Sequence, residues 1–374
     1  MVPPSTITLT LGRKDGTGKM ANMAQAIRMA LHYGEKHLGL KNIFGEDVGP
    51  PLGGVFTVTQ GLSTTWNSPL DERGIIGAAI GLGLSGVRSV AEVQFCDYIY
   101  NTIDLLKLCG MQTWSSNGDW PCGVTVMTPV GSGIRGSIYH SHSFDAMMTH
   151  IPGWKIVMPS NPLDAYGLML ACLKDPNPTM YLKPKALLRV RGQELIPGEP
   201  EDEKSLKDMI DMPILSDPRH KTWKARWPEG LTDYTVEIGK AKKVREGEHV
   251  TVVSYGRTLL VAAQAADQVR EEGISVEVID LRTLWPYDWA MISESIRKTG
   301  RVIFVNEDTE VTNFGEHLIR RTIEEHFYEL EARPRLVAGA FTPGIGLADT
   351  LEAASAPQLG HIVSAIREVA AERA

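Results

Sequence analysis

The strongest constraint on the fold is an alternation of short apolar runs with longer amphipathic ones, interrupted once. Residues 21–37 carry Met23, Ala26, Ile27, Met29, Ala30 and Leu31 at helical spacing, which predicts a helix. A short strand at 42–44 leads into GEDVGPPLGG, a loop full of turn residues. Strands are then expected at 87–95, 124–127, 155–158 and 180–182, and helices at 74–86, 98–109, 144–149 and 162–173. A second series follows, with strands at 250–254, 275–280, 301–305 and 335–338. Its helices are expected at 259–271, within 285–298, at 314–326 and at 359–371. This order implies an α/β chain whose mostly parallel sheets are covered on both faces.

The interruption spans 192–230. It holds Pro197, Pro200, Pro213, Pro218 and Pro228. Its charge turns from acidic (Glu199, Glu201, Asp202, Glu203) to basic (Lys221, Lys224, Arg226). It reads as a long linker with an insertion. The expected division is a flexible N-terminal arm over 1–20, one α/β domain over 21–191, the linker over 192–230, and a second α/β domain over 231–374.

Composition narrows the partners. Lys and Arg number 38 against 45 Asp and Glu, a net charge of −7, which disfavours nucleic acid or an anionic membrane surface. Cys96, Cys109, Cys122 and Cys172 form no C-x-x-C and no zinc spacing. No run approaches the roughly 18 apolar residues of a membrane span. The first residues lack a signal-peptide pattern. A cytoplasmic soluble protein is expected.

Several segments carry chemistry. Two stretches match G-x-G-x-x-G, at 81–86 and 131–136. The first ends a helix and enters a strand, the reverse of a dinucleotide fingerprint. The second follows a strand but lacks the acidic strand end about 20 residues on. Ser68-Pro-Leu-Asp-Glu-Arg-Gly74 puts Glu72 at the start of a glycine-rich apolar helix. A carboxylate there partners the helix dipole. Apolar surroundings also raise a carboxyl pKa and prepare it for proton transfer. Gln94 and Tyr98, in VQFCDY, join a strand end to a helix start and suit a flat ring. His140 and His142, in YHSHS, suit acid–base work better than metal binding, since no third ligand is near. Cys172, Asp175 and Asn177, in ACLKDPNP, end a helix; oxygens there suit a hard cation or a plain helix stop. The chain has no G-D-G with a downstream Asn and no P-loop.

Taken in order, GEDVG, GGVFTVTQGL, SPLDERGIIGAAIGLGLSG, AEVQFCDYIYNTIDLL, GSIYHSHS, PGWKIVMPSNPLDAYGL, EIGKAKKVREG and VEVIDLRTLWPYD form one pattern. The chain resembles the beta subunit of the thiamine-diphosphate-dependent 2-oxo acid dehydrogenases, in the transketolase-like superfamily. GGVF, EVQF-x-DY and YHS-x-S resemble the branched-chain, 2-oxoisovalerate, branch most. The resemblance implies a pyrimidine-binding domain followed by a C-terminal transketolase-like domain. It implies an alpha subunit in an α₂β₂ heterotetramer, which supplies most of the Mg²⁺ and diphosphate grip. It further implies oxidative decarboxylation of a 2-oxo acid and acyl transfer to a lipoyl acyltransferase core.

Residue roles follow from the same resemblance. Glu72 matches the glutamate that hydrogen-bonds the aminopyrimidine ring. Tyr98 matches the aromatic residue against that ring, and Leu70, Gln94 and Glu46 match its neighbours. His140 matches the histidine of proton and acyl transfer. Val124, Thr125, Cys172, Asp175 and Asn177 match positions that hold a structural potassium ion. The chain departs from the pattern at His142, where Gln is usual, and at Phe144-Asp-Ala-Met. It also departs in the 199–227 insertion and in FTPGIGLADTLEAASAP. Pyruvate- or acetoin-type dehydrogenase subunits, half of a transketolase-like synthase, and a non-catalytic scaffold are the competing readings.

Overall fold

The computed structural model describes residues 20–214 and 216–372. The arm expected over 1–20 lies, Met20 apart, outside them. Helix α1 (Met23–His37) begins with a capping box: Asn22 accepts from the Gln25 N–H, and Gln25 accepts from the Asn22 N–H. The chain then alternates through β1 (Asn42–Gly45), β2 (Thr65–Asn67), α2 (Glu72–Leu84), β3 (Ser89–Glu92), α3 (Ile103–Ser115), β4 (Val124–Val130), α4 (Asp145–Thr149), β5 (Lys155–Val157), α5 (Pro162–Lys174) and β6 (Thr179–Pro184). Helix α6 (Glu203–Ile210) lies in the interruption. The second series is β7 (Lys242–Arg245), β8 (Val250–Ser254), α7 (Gly256–Arg270), β9 (Val276–Asp280), β10 (Thr283–Trp285), α8 (Trp289–Thr299), β11 (Val302–Thr309), α9 (Phe314–His326), β12 (Arg335–Gly339), α10 (Asp349–Ser355) and α11 (Leu359–Ala371).

Two sheets result. The first runs β10-β5-β6-β4-β3-β1-β2 and is parallel except for β10. The second runs β12-β11-β8-β9-β7 and is parallel except for β7. Every residue of β3, β4, β6, β8 and β9 is buried. Helices cover both faces of such strands, so they read as unbroken apolar runs. One apolar core joins Phe44, Val126 and Met180 of the first sheet to Ile279, Phe304 and Phe314 of the second unit.

Three sequence expectations are sharpened. The strand expected at 87–95 pairs only over Ser89–Glu92; the rest leaves the ladder to build a loop. The helix expected within 285–298 starts at Trp289. Residues before Pro286 are driven to extended backbone, and Thr283–Trp285 pairs with β5 as an edge strand of the first sheet. The interruption is not a loose tether. Asp211 accepts from Gln25 Nε2 at 2.9 Å and from Arg28 Nη2 at 2.8 Å, and Trp227 stacks on His32 with ring centres 4.4 Å apart. Arg28 also donates to the Ile210 carbonyl, so its guanidinium is buried among fixed acceptors on α1. Strands β2 and β7 and helix α10 were not legible in the sequence, being short and partly exposed.

Asp211→Ala leaves that buried guanidinium without its charged acceptor. The expected loss is about 2 kcal/mol of stability by urea unfolding. A change near zero means that the insertion is fastened elsewhere.

Candidate functional site

Strands β1, β3 and β4 end at one edge of the first sheet, and the loops that follow them build one site. Parallel strands send all their following loops to the same side, which is why ligand sites form there. Glu46 and Asp47 follow β1; Gln94, Phe95 and Tyr98 follow β3; His140 and His142 follow β4. Glu72 is the first residue of α2, beneath the same edge.

The Gln94 amide donates to the Glu46 carbonyl at 3.3 Å and to Asp47 Oδ2 at 3.2 Å, which orients its side chain. Burial, then the charges of Asp47 and Glu72, raises the Glu46 carboxyl above its usual range. Two carboxyls, Glu46 and Glu72, therefore share one electrostatic neighbourhood. Burial and the charges of Asp97, Glu46 and Glu72 also raise the Tyr98 phenol, so it keeps its proton at neutral pH.

Tyr98 and His140 touch. The phenol oxygen lies 3.0 Å from His140 Nε2, and His140 Nδ1 lies 3.3 Å from the Gly136 carbonyl. A carbonyl only accepts, so Nδ1 carries a proton, and in the neutral imidazole Nε2 accepts from Tyr98. The Phe95 ring meets His140 edge-on, centres 4.3 Å apart, and Phe56 meets Phe95 at 6.3 Å. The Lys185 ammonium is buried 5.7 Å over the Phe95 ring.

His142 has a different task from His140. Its backbone N–H and its Nδ1 both reach Asp97 Oδ1, at 3.3 and 2.6 Å, and its carbonyl accepts from the Gly131 N–H at 2.9 Å. It pins the glycine-rich loop 131–143 to the segment that carries Tyr98. The same loop is tied to the second domain. The Arg135 N–H donates to Glu352 at 2.7 Å, and its guanidinium pairs with Asp349 at 2.9 Å. The C-terminal segment that departs from the family pattern is thus a neighbour of the His140 loop.

The remaining sequence candidates divide. Leu70, just before α2, is 71% exposed. Val124, Thr125, Cys172, Asp175 and Asn177 do come together, away from this edge, at the start of β4 and the end of α5. There the Asp175 carboxylate is taken up by Lys155 Nζ at 2.5 Å and by the Asn177 amides at 2.9 and 3.0 Å. Backbone carbonyls, with those of Asp175 and Pro176 turned toward Gly123, are what that corner still offers a cation. Among the described residues no group of three His, Cys, Asp or Glu side chains could hold a metal ion. Sequence reading missed Phe95, Asp97, Glu92, Lys183 and Lys185. Asp97 stood inside a quoted motif, but its partner lies 45 residues on.

The Asp97–His142 pair sets a pH window. The hydrogen bond to Asp97 raises His142, so its stabilisation is complete below about pH 6.5 and fades as pH rises through the higher folded value. Asp97 is held low by His142 despite its burial, so its share is present above about pH 4 and lost as pH falls through the folded value. The stability difference between wild type and Asp97→Asn is expected to peak between about pH 4 and 6.5 and to shrink toward pH 9. Urea unfolding across that range measures it. A pH-independent difference rules out the ion pair.

Comparison with known proteins accords with this architecture. Residues 19–191 match the family Transketolase, pyrimidine binding domain, and residues 239–362 match Transketolase, C-terminal domain. The chain is 39% identical to the 2-oxoisovalerate dehydrogenase subunit beta of Pseudomonas aeruginosa, covering 86% of this chain and 87% of that one. It is 34% identical to the namesake subunit of Bacillus subtilis, over 88% of this chain and 92% of that one. The pyruvate dehydrogenase E1 component subunit beta of Bacillus subtilis is also 34% identical, over 86% of this chain and 90% of that one. A solved split-gene transketolase, an inactive beta4 tetramer, shares the fold with a TM-score of 0.66 at 17% identity, covering 94% of this chain and 99% of that one. The chain belongs to the beta subunits of the 2-oxo acid dehydrogenases, within the transketolase-like superfamily.

Proposed function

We propose that this chain is the beta half of a thiamine-diphosphate-dependent dehydrogenase that decarboxylates a branched-chain 2-oxo acid and passes the acyl group to lipoamide. One observation carries the reading. Glu46, Glu72, Gln94, Tyr98 and His140 gather at the carboxyl edge of β1, β3 and β4. Two carboxyls, an oriented amide and a protonated phenol suit an aminopyrimidine ring, which offers donors, acceptors and a flat face.

Thiamine diphosphate, when bound, supplies the nucleophilic carbon and the electron sink for loss of carbon dioxide. The chain's own part is proton handling and orientation. Glu72 would hydrogen-bond the pyrimidine ring of that cofactor. Tyr98, Leu70 and Gln94 would hold that ring in place. His140 exchanges a proton through Nε2, because the Gly136 carbonyl keeps its Nδ1 proton occupied. The diphosphate and Mg²⁺ are assigned to an alpha subunit, in an α₂β₂ assembly that serves a lipoyl acyltransferase core. The assembly is taken to be cytoplasmic; no helix among the described residues is long and apolar enough to cross a membrane.

Specificity for a branched side chain follows the GGVF, EVQF-x-DY and YHS-x-S motifs. The pyruvate dehydrogenase relative keeps a second reading in play, with pyruvate as substrate. Decarboxylation by the chain reconstituted with an alpha subunit separates the two. With 3-methyl-2-oxobutanoate, pyruvate and 2-oxoglutarate compared, the highest kcat/KM is expected for the first. Glu72→Gln is expected to lower turnover by about a thousandfold while the tetramer still forms. Near-normal turnover in that variant, or no co-purification with any alpha-type chain, refutes the assignment. The same reading gives the carbonyls around 124–125, 172 and 175–177 a potassium ion. A higher thermal midpoint is expected in potassium chloride than in choline chloride, and equal midpoints remove the ion.

A further inference from the structure

The backbone before Phe56 bends in a way few side chains tolerate. Gly53 and Gly54 have φ of 77° and 80°, and Phe56 and Thr57 have φ of 61° and 64°. A Cβ at Gly54 would stand 2.5 Å from Thr59 Oγ1, so no larger residue fits. Non-glycine residues stay in the left-handed region only where their surroundings hold them there. The turn has bonds of its own: the Gly54 N–H reaches the Asp47 carbonyl at 2.8 Å, and the Thr57 N–H the Gly54 carbonyl at 3.0 Å.

Its anchor to the sheet is Glu92. The Val55 N–H donates to Glu92 Oε1 at 3.2 Å. The other carboxylate oxygen accepts from Lys183 Nζ at 2.7 Å, and both side chains are 0% exposed. Glu92 ends β3, Lys183 stands on β6, and β4 lies between them, so the pair ties three strands together at the site's edge. A buried acceptor or donor left without a partner costs free energy, so the two side chains satisfy each other. Lys183 satisfies one carboxylate oxygen of Glu92, and the other oxygen holds the turn. What the turn presents is the Phe56 ring, edge-on to Phe95, which in turn abuts His140.

We propose that Glu92 and Lys183 are positioning residues: their buried ion pair fixes the 53–57 turn so that Phe56 and Phe95 wall the imidazole of His140. That this imidazole reacts rests on the function proposed above; that the turn is anchored does not.

Two double variants separate positioning from mere support. Glu92→Gln with Lys183→Gln keeps an amide oxygen for Val55 and a neutral hydrogen bond between the partners. Glu92→Leu with Lys183→Met removes the acceptor, and replacing both charges by apolar groups is close to neutral for stability. Hydrogen exchange of the 53–58 peptide is read in the full chain, and turnover in the complex with an alpha subunit. Wild type and the amide pair are expected to exchange slowly. The Leu–Met pair is expected to exchange about tenfold faster. Its kcat/KM is expected to fall about tenfold or more, at a similar thermal midpoint. Equal exchange and equal turnover in the two double variants overturn the proposal, as does fast exchange of the turn in wild type. Should the Leu–Met pair fail to fold, the amide pair decides: protection and turnover are expected to survive in it, and loss of either overturns the positioning role. Slow exchange in a wild-type complex without any 2-oxo acid turnover refutes the function instead, and leaves the anchoring standing.

Discussion

The parallel ladder of β1, β3, β4 and β6 is the constraint on which everything else in the first domain depends. Each parallel step needs a crossover, and each crossover returns the chain to the same end of the sheet. Loops of very different composition are thereby delivered to one edge. The loop after β1 brings carboxyls, the loop after β3 brings aromatics, and the loop after β4 brings an imidazole. None of these groups is near another in sequence. The ladder also explains the burial of Glu92 and Lys183, which lie at or next to the carboxyl ends of strands covered on both faces.

The two domains are more entangled than a linker between them suggests. Strand β10 belongs to the second series yet completes the first sheet. Loop 131–143, which carries His140, rests against Asp349 and Glu352 of the second domain. The interruption packs back on α1 through Asp211 and Trp227. It also reaches the segment between β1 and β2, where the Met212 N–H donates to Gln60 at 2.9 Å. The geometry around His140 is therefore set by both domains.

Much of the architecture was legible because its signals are local. Helices at 314–326 and 359–371 were bounded to the residue by caps and periodicity. Fully buried strands announced themselves as apolar runs. The interior of the site was less legible. Glu92 and Lys183 are ordinary charged letters in an apolar stretch, and nothing local says that they meet. His142 looked like a companion to His140, because spacing in sequence says nothing about which way a loop turns. Leu70 stands 71% exposed, and the sequence holds no G-D-G with a downstream Asn, so neither shows in one chain what it would serve.

The sequence by itself determined the α/β order and the family, and it offered Glu72, Tyr98 and His140 as candidates. Each of these is encoded by residue type, local period or motif. Tertiary structure alone decided which side chains touch. It put Tyr98 on Nε2 of His140, Asp97 on His142, and a buried lysine under the turn that carries Phe56. Those contacts join residues 42, 45 and 91 positions apart, and only the folding of strands into a common sheet brings such distances down to a hydrogen bond.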